Sequence, residues 1–192
     1  MTGTIAHSTG RKPESEPGGP GGRSPARGGR AQCGEFDIRI GRDGTWFYHG
    51  SPIGRKPLVR LFASVLQREA DGTYWLVTPA ERGRIVVDDV PFTAVEMRVA
   101  GVGRDQALTF RTNVDDEVTA EAAHPIRVVD DPDTGEPHPY ILVRDRLEAR
   151  IVRSVYYDLV ALGEPHHVGG QDFYGVWSKR AFFPLGRADS VA

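Results

Sequence analysis

Arg55 and Lys56 stand in the stretch HGSPIGRKPLVRLFASVL (residues 49–66), directly before Pro57 and an apolar-periodic run. Two cations at the start of a helix are unfavourable by themselves, because the free N–H groups there already carry partial positive charge. An anion reverses the balance, and forked guanidinium donors suit phosphate or carboxylate. Arg150 and Arg153 precede a second helical stretch in LEARIVRSVYYDLV (residues 147–160). If the two helix starts face one another, their four cations converge on one anion. The competing arrangement pairs these cations with Asp88, Asp89, Asp158 or Glu148, or leaves them in water.

A flat part of such a ligand would need an aromatic neighbour. On the second helical stretch Val155, Tyr156, Leu159 and Val160 form one stripe, so Tyr156 reads as core and Tyr157 faces away from it. Trp177 lies in a strand-like segment, where it either packs or stacks. Asn113, in RTNVDDE (residues 111–117), can read a ligand's hydrogen-bonding edge and is also an ordinary turn former. The candidate ligand-binding set is therefore Arg55, Lys56, Asn113, Arg150, Arg153, Tyr157 and Trp177.

Other chemistries find no support. A P-loop fails on spacing: three residues, not four, separate Gly50 from Gly54, and Pro57 occupies the place of the magnesium-binding hydroxyl. GVGRDQ (101–106) lacks the third glycine of a dinucleotide loop and sits between two strands. DDPDTGE (130–136) lacks the ligand positions of a calcium loop. The six histidines show no metal-ligand spacing, and the single Cys33 rules out an internal disulfide and a cysteine-built zinc site. Asp88, Asp89, Asp115 and Glu117 are carboxylates without a recognisable catalytic context. No catalytic residue, metal or cofactor is assigned.

Charge and composition separate a tail from a folded part. The first 34 residues, rich in Gly, Pro and Arg, carry five cations against Glu14 and Glu16, a net +3; the remainder carries 19 cations against 24 acids, a net −5. The tail lacks the apolar surface to offset its ordering entropy, so residues 1–34 are expected to be disordered. The acidic folded part argues against sequence-specific nucleic-acid recognition. No apolar run suits a signal peptide or a membrane span, and a cytoplasmic protein is expected.

The positioning elements follow from periodicity. EFDIRIGRDGTWFYHG reads as a hairpin turning at Asp43-Gly44, and residues 57–69 as a helix beginning with Pro57. TYWLVTP and GRIVVDDVPF are strands. AVEMRVAG, DQALTFRTN, EVTA, PIRVV, YILVR and LEARIV follow as further strands, with a tight connection at Asp145-Arg146. Residues 154–163 read as a short helix with Ser154 as N-cap, HHVGGQ as a loop, and FYGVWSKRAFFPLG as closing strands. Both halves are expected to repeat strand–helix–strand with basic residues before the helix, an internal echo. The domains are expected over 35–92 (N-terminal, α+β) and 93–186 (C-terminal, β-rich with a short helix), with a tail over 187–192.

WFYHGSPIGRKPLVRLFASVL, DGTYWLVTPAERGRIVVDDVPF, TFRTNVDDEV, LEARIVRSVYYDLV and GVWSKRAFFPLG together resemble the bacterial family called domain of unknown function 1285, over roughly residues 34–186. The resemblance implies a two-domain α+β fold with repeated motifs and a second domain loosely like a pleckstrin-homology barrel. It also implies a ligand site between the domains, for a nucleotide-like molecule, with a role in signalling. On the residues and the resemblance together, the first expectation is a protein that binds an anionic small molecule. A protein-interaction module is the alternative, and an enzyme acting on a phosphorylated substrate ranks behind it.

Overall fold

The computed structural model describes residues 32–188. The disorder expected over residues 1–31, and the last residues of the expected C-terminal tail, 189–192, lie outside that range. Gln32–Gly34, which the expected tail included, already belong to a strand.

The first hairpin forms where apolar alternation places it. Strand β1 (Gln32–Ile40) pairs antiparallel with β2 (Trp46–Tyr48), setting Ile38 opposite Tyr48 and Ile40 opposite Trp46. Gly44 turns the chain at φ +80°, a left-handed conformation that favours glycine. A short β3 (Ser51–Pro52) follows, then helix α1 (Lys56–Ser64). The expected helix over 57–69 is too long. Leu66–Arg68 instead form β4, which pairs with β5 (Tyr74–Val77) and sets Leu66 opposite Leu76. Leu66 fits the helical stripe and the strand equally; the cross-strand partner decides, and buries it.

Strand β6 (Glu81–Val87) completes a six-stranded sheet in the order β3-β2-β1-β6-β5-β4. The strands that open and close this sheet in the chain, β1 and β6, lie parallel at its centre, and antiparallel ribbons extend to either side. The second sheet repeats this plan. It comprises β7 (Phe92–Ala100), β8 (Ala107–Thr112), β9 (Glu117–Thr119), β10 (Ile126–Asp130), β11 (Pro137–Arg144) and β12 (Leu147–Ile151). The order is β10-β11-β12-β7-β8-β9, again with its first and last strands parallel at the centre. The repeat therefore lies in the sheets and not in a strand–helix–strand unit. Helix α1 falls between the third and fourth strands of its sheet, whereas helix α2 (Arg153–Ala161) follows the sixth strand of its own.

Ser154 does not cap α2. The N-cap is Val152, with no side-chain cap bond. A third sheet follows, of β13 (Glu164–Val168), β14 (Gln171–Ser178) and β15 (Ala181–Arg187). HHVGGQ is thus a strand running into a Gly169-Gly170 turn, not a loop throughout. The third sheet folds over the second, and β15 packs beside β10. Val176, Phe183 and Leu185 join Leu108, Phe110, Ile126 and Ile141 in one core, which continues to Ile38, Ile40 and Trp46 of the first sheet. Fully burying a side chain such as Phe110 contributes about 1.5–3 kcal/mol. The result is two sheet-rich domains with two short α-helices and one 3₁₀ turn (Gly103–Asp105) among the described residues, the second domain shaped as a half-barrel.

Candidate functional site

Of the cations at the start of α1, Lys56 reaches the second domain. Arg55 is the N-cap residue, with no acidic side chain in the first turn. Lys56 Nζ donates to Asp115 at 3.0 Å, Arg60 one turn later pairs with the same carboxylate, and Arg111 reaches it at 3.1 Å. Arg144 binds Asp116 and donates to the Ala63 carbonyl at 2.7 Å, which satisfies an acceptor at the end of α1. These ions join α1 of the first domain to the turn after β8 of the second. Arg55 is exposed and has no ion pair among the described residues.

Asn113 is committed to the same junction. Its Oδ1 accepts the Thr93 N–H at 3.1 Å, and its Nδ2 donates to the Gly44 carbonyl at 3.1 Å. Trp177 packs in the third sheet, with His166 and Phe182 ring centroids 4.9 and 5.2 Å away and the Arg104 guanidinium 4.6 Å over its ring. Asn113 has no free recognition group, and the Trp177 indole N–H is buried within the third sheet without a hydrogen-bond partner.

Arg150, Arg153 and Tyr157 do come together. They line a cleft of about 360 Å³ where the domains meet. The first domain contributes Arg42 and Asp43 from the β1–β2 turn. The second contributes Thr93 of β7, Pro137 and Pro139 of β11, the end of β12, and the first turns of α2. Arg55, Lys56, Asn113 and Trp177 are not among its walls. The two helix starts thus do not share one anion: α1 meets Asp115, and α2 borders the cleft.

The cleft's polar groups differ in freedom. Arg150 Nη1 lies 3.3 Å from Asp89, and its other Nη donates to His138 Nδ1. The Tyr140 hydroxyl also donates to Asp89, at 3.1 Å; burial and then the Asp89 charge push the Tyr140 pKa up. Arg153 Nε donates to the Tyr157 hydroxyl at 2.8 Å, which raises the arginine pKa further and keeps it cationic. Asp43 accepts both the backbone N–H and the hydroxyl of Thr45, which hold its carboxyl below the usual range. Arg42 makes no hydrogen bond or ion pair among the described residues. It was not among the residues singled out from the sequence. It sits in GRDG, whose only visible signal was a turn, and nothing local shows that this turn meets α2.

The four carboxylates considered for catalysis are all held: Asp88 by Arg39, Asp89 by Tyr140 and Arg150, Asp115 by Lys56, and Glu117 by Arg98. Among the described residues no group of three or more His, Cys, Asp or Glu side chains is placed to hold a metal ion. No helix among them is long and apolar enough to cross a membrane.

Duplicated six-stranded sheets, a third sheet closing the second, and a cleft between the halves define a two-domain, sheet-rich protein. The chain belongs to the DUF1285 family. Residues 30–90 match the domain of unknown function (DUF1285), N-terminal domain, and residues 91–185 match the protein of unknown function (DUF1285), C-terminal domain. The two matches meet between Val90 and Pro91. Comparison with curated proteins gives no match. A crystal structure of a DUF1285 family protein from Silicibacter pomeroyi DSS-3 is 48% identical, with a TM-score of 0.78 over 84% of this chain and 86% of that one. Another, from Shewanella baltica OS155, is 25% identical, with a TM-score of 0.52 over 66% of this chain and 91% of that one.

Proposed function

We propose that this chain binds an anionic small molecule in the cleft between its two domains. The observation that carries the reading is the meeting of Arg42, from the first domain, with Arg153 and Tyr157, from the second, around one cavity. Guanidinium groups without a carboxylate partner are poised for an incoming anion, and the exposed Tyr157 ring offers a flat surface to the rest of the ligand. A nucleotide-like molecule is one candidate occupant. Because both domains border the cleft, occupancy changes how firmly they hold together, which is a route to signalling from a cytoplasmic sensor.

The test is a thermal-shift screen of the full chain against nucleotides, phosphorylated metabolites and organic acids. A ligand at about 100 times its dissociation constant adds roughly 2.7 kcal/mol of stability. Arg42→Ala and Arg153→Ala should reduce that shift. No shift with any anion, or unchanged shifts in both variants, would overturn the reading.

A protein-interaction module is the second reading, favoured by one surface. His166, Trp177 and Phe182 cluster on the third sheet, and Val102, between Gly101 and Gly103, is 85% exposed nearby in sequence to Arg104, which covers Trp177. The pleckstrin-homology likeness belongs with this reading. Folding of the three-stranded sheet over the six-stranded one supports it. A stoichiometric partner that binds while no small molecule does would favour this alternative.

A further inference from the structure

The unpaired groups of the cleft carry both signs of charge. Resting on the reading of the cleft as an anion site, we propose that its ligand is a free α-amino acid with an apolar side chain: the carboxylate is that anion, and the ammonium is held beside it. Arg150 is engaged by Asp89 and His138. The charges left in the lining then balance, Arg42 and Arg153 against Asp43 and Glu136. Asp43 in turn holds Thr45. Glu136 has its backbone tied into the β10–β11 turn, where its N–H donates to Thr134 Oγ1 at 3.2 Å and its carbonyl accepts the Asp131 N–H at 2.9 Å. Its carboxylate makes no hydrogen bond or ion pair among the described residues. Two cations without an acid and one carboxylate without a base therefore border one cavity. A ligand with a negative group alone would be repelled by Glu136; one that also carries an ammonium is attracted to it.

The two signs stand close together, as the charges of an α-amino acid do across a single carbon. The Tyr157 hydrogen bond raises the Arg153 pKa most, and the Glu136 charge raises it further although the two side chains form no ion pair. Arg42 and Arg153 present forked donors for the carboxylate. Two hydroxyls add acceptors for the ammonium. Thr93 is 5% exposed; Asn113 takes its N–H and its carbonyl, and its hydroxyl has no partner among the described residues. A buried hydroxyl left unpaired is costly, and a polar group of the ligand relieves that cost. The Tyr156 hydroxyl is also without a partner there. Burial and then the Asp130 charge push its pKa up, so it stays protonated and neutral, with lone pairs open to an N–H donor. Pro137, Pro139, Ile151 and Val152 supply apolar walls for the side chain. A cavity of about 360 Å³ lies at the small end of ligand sites, in keeping with a single amino acid.

The experiment is a calorimetric titration of the full chain, at about pH 7 and one ionic strength, with four probes. They are L-leucine, L-glutamate, 4-methylpentanoate (leucine without its ammonium) and L-leucinamide (leucine without its carboxylate). Leucine should bind at least about tenfold more tightly than each of the other three. Glu136→Gln should bring leucine down to the affinity of 4-methylpentanoate. Arg153→Gln should erase most of the preference for leucine over leucinamide, with circular dichroism confirming that both variants fold. If 4-methylpentanoate binds as tightly as leucine, or the preference for leucine survives Glu136→Gln, the proposal is overturned while an anion site remains. Glutamate binding more tightly than leucine overturns it too. So does the failure of all four probes when a nucleotide or another anion of the thermal-shift screen binds. If neither experiment detects a ligand, the cleft reading itself falls.

Discussion

Lys56 Nζ lies 3.0 Å from the Asp115 carboxylate, 59 residues away in the chain. This ion pair explains how a helix begins with cations: the compensating negative charge comes from the other domain. Arg60 and Arg111 share the same carboxylate, so one acid holds three bases together. Asp115 sits at φ +66°, which asparagine also tolerates, so Asp115→Asn removes the charge and keeps the turn. The three cations would then repel across the domain junction. The variant should lose roughly 1–2 kcal/mol at low salt, where exposed ion networks count most, and recover part of it in about 1 M NaCl. Urea unfolding at two salt concentrations measures this; a loss independent of salt would assign the effect to something other than charge.

Gly44 and Asn113 form the second brace. A Cβ on Gly44 would stand 2.7 Å from Asn113 Nδ2 and 3.1 Å from Thr93 Oγ1, on a backbone that already disfavours a side chain. Gly44→Ala should therefore destabilise by about 1–3 kcal/mol. Asn113→Ala leaves the Thr93 N–H and the Gly44 carbonyl without partners and should cost a similar amount. Because both act on one contact, the double variant should lose clearly less than the sum. Additive losses in a double-mutant cycle would show that the two residues act separately.

Both braces lie beyond the reach of local sequence patterns. Hairpins were legible because alternation and turn residues are local: Asp43-Gly44 and Asp145-Arg146 both turn as expected, each with a positive φ. Leu66–Arg68 was not, because Leu66 satisfies a helical stripe as well as a strand. Strand β13 was hidden because Glu164–Val168 contains a proline and two histidines, is largely exposed, and has no apolar alternation. The central parallel pairs, β1 with β6 and β12 with β7, join strands far apart in the chain. Arg150, Arg153 and Tyr157 could be picked out because they cluster within eight residues. Arg42 could not, since the cleft it lines forms only when the domains pack, and Asp115, visible as a carboxylate, could not be matched to the cations of α1 for the same reason.

Arg39 and Asp88 make the pH dependence readable. Arg39 donates twice to Asp88, at 2.8 and 2.6 Å, and this bonding holds the Asp88 carboxyl below the usual value against the opposing effect of burial. The unfolded chain takes up this proton at a higher pH than the folded one. The stabilisation is therefore complete above the ordinary carboxylate value near about 4 and fades as the pH falls through the lower folded value. Wild type and Arg39→Gln should differ in urea midpoint at about pH 6–7, and the gap should close below about pH 4. A gap that persists or widens in acid would contradict this account of the pair.

Ser178 fastens the third sheet to the second. Its side chain is fully buried, its Oγ accepts the Leu108 N–H at 3.0 Å, and its hydroxyl donates to the Ala120 carbonyl at 2.7 Å. Leu108 and Ala120 lie on or beside β8 and β9, so one hydroxyl ties two strands to β14. Ser178→Ala leaves a buried donor and a buried acceptor unpaired, each costing about 1–3 kcal/mol, partly relieved if a water enters. Ser178→Thr keeps the hydroxyl and its two hydrogen bonds but adds a methyl group to a packed site, so it should lose some stability, though less than alanine. The expected order of urea midpoints is wild type, then threonine, then alanine. Hydrogen exchange should show the Leu108 amide losing protection in the alanine variant before amides of the first sheet do. Equal protection at Leu108 in wild type and Ser178→Ala would mean that the half-barrel is closed by its apolar core alone.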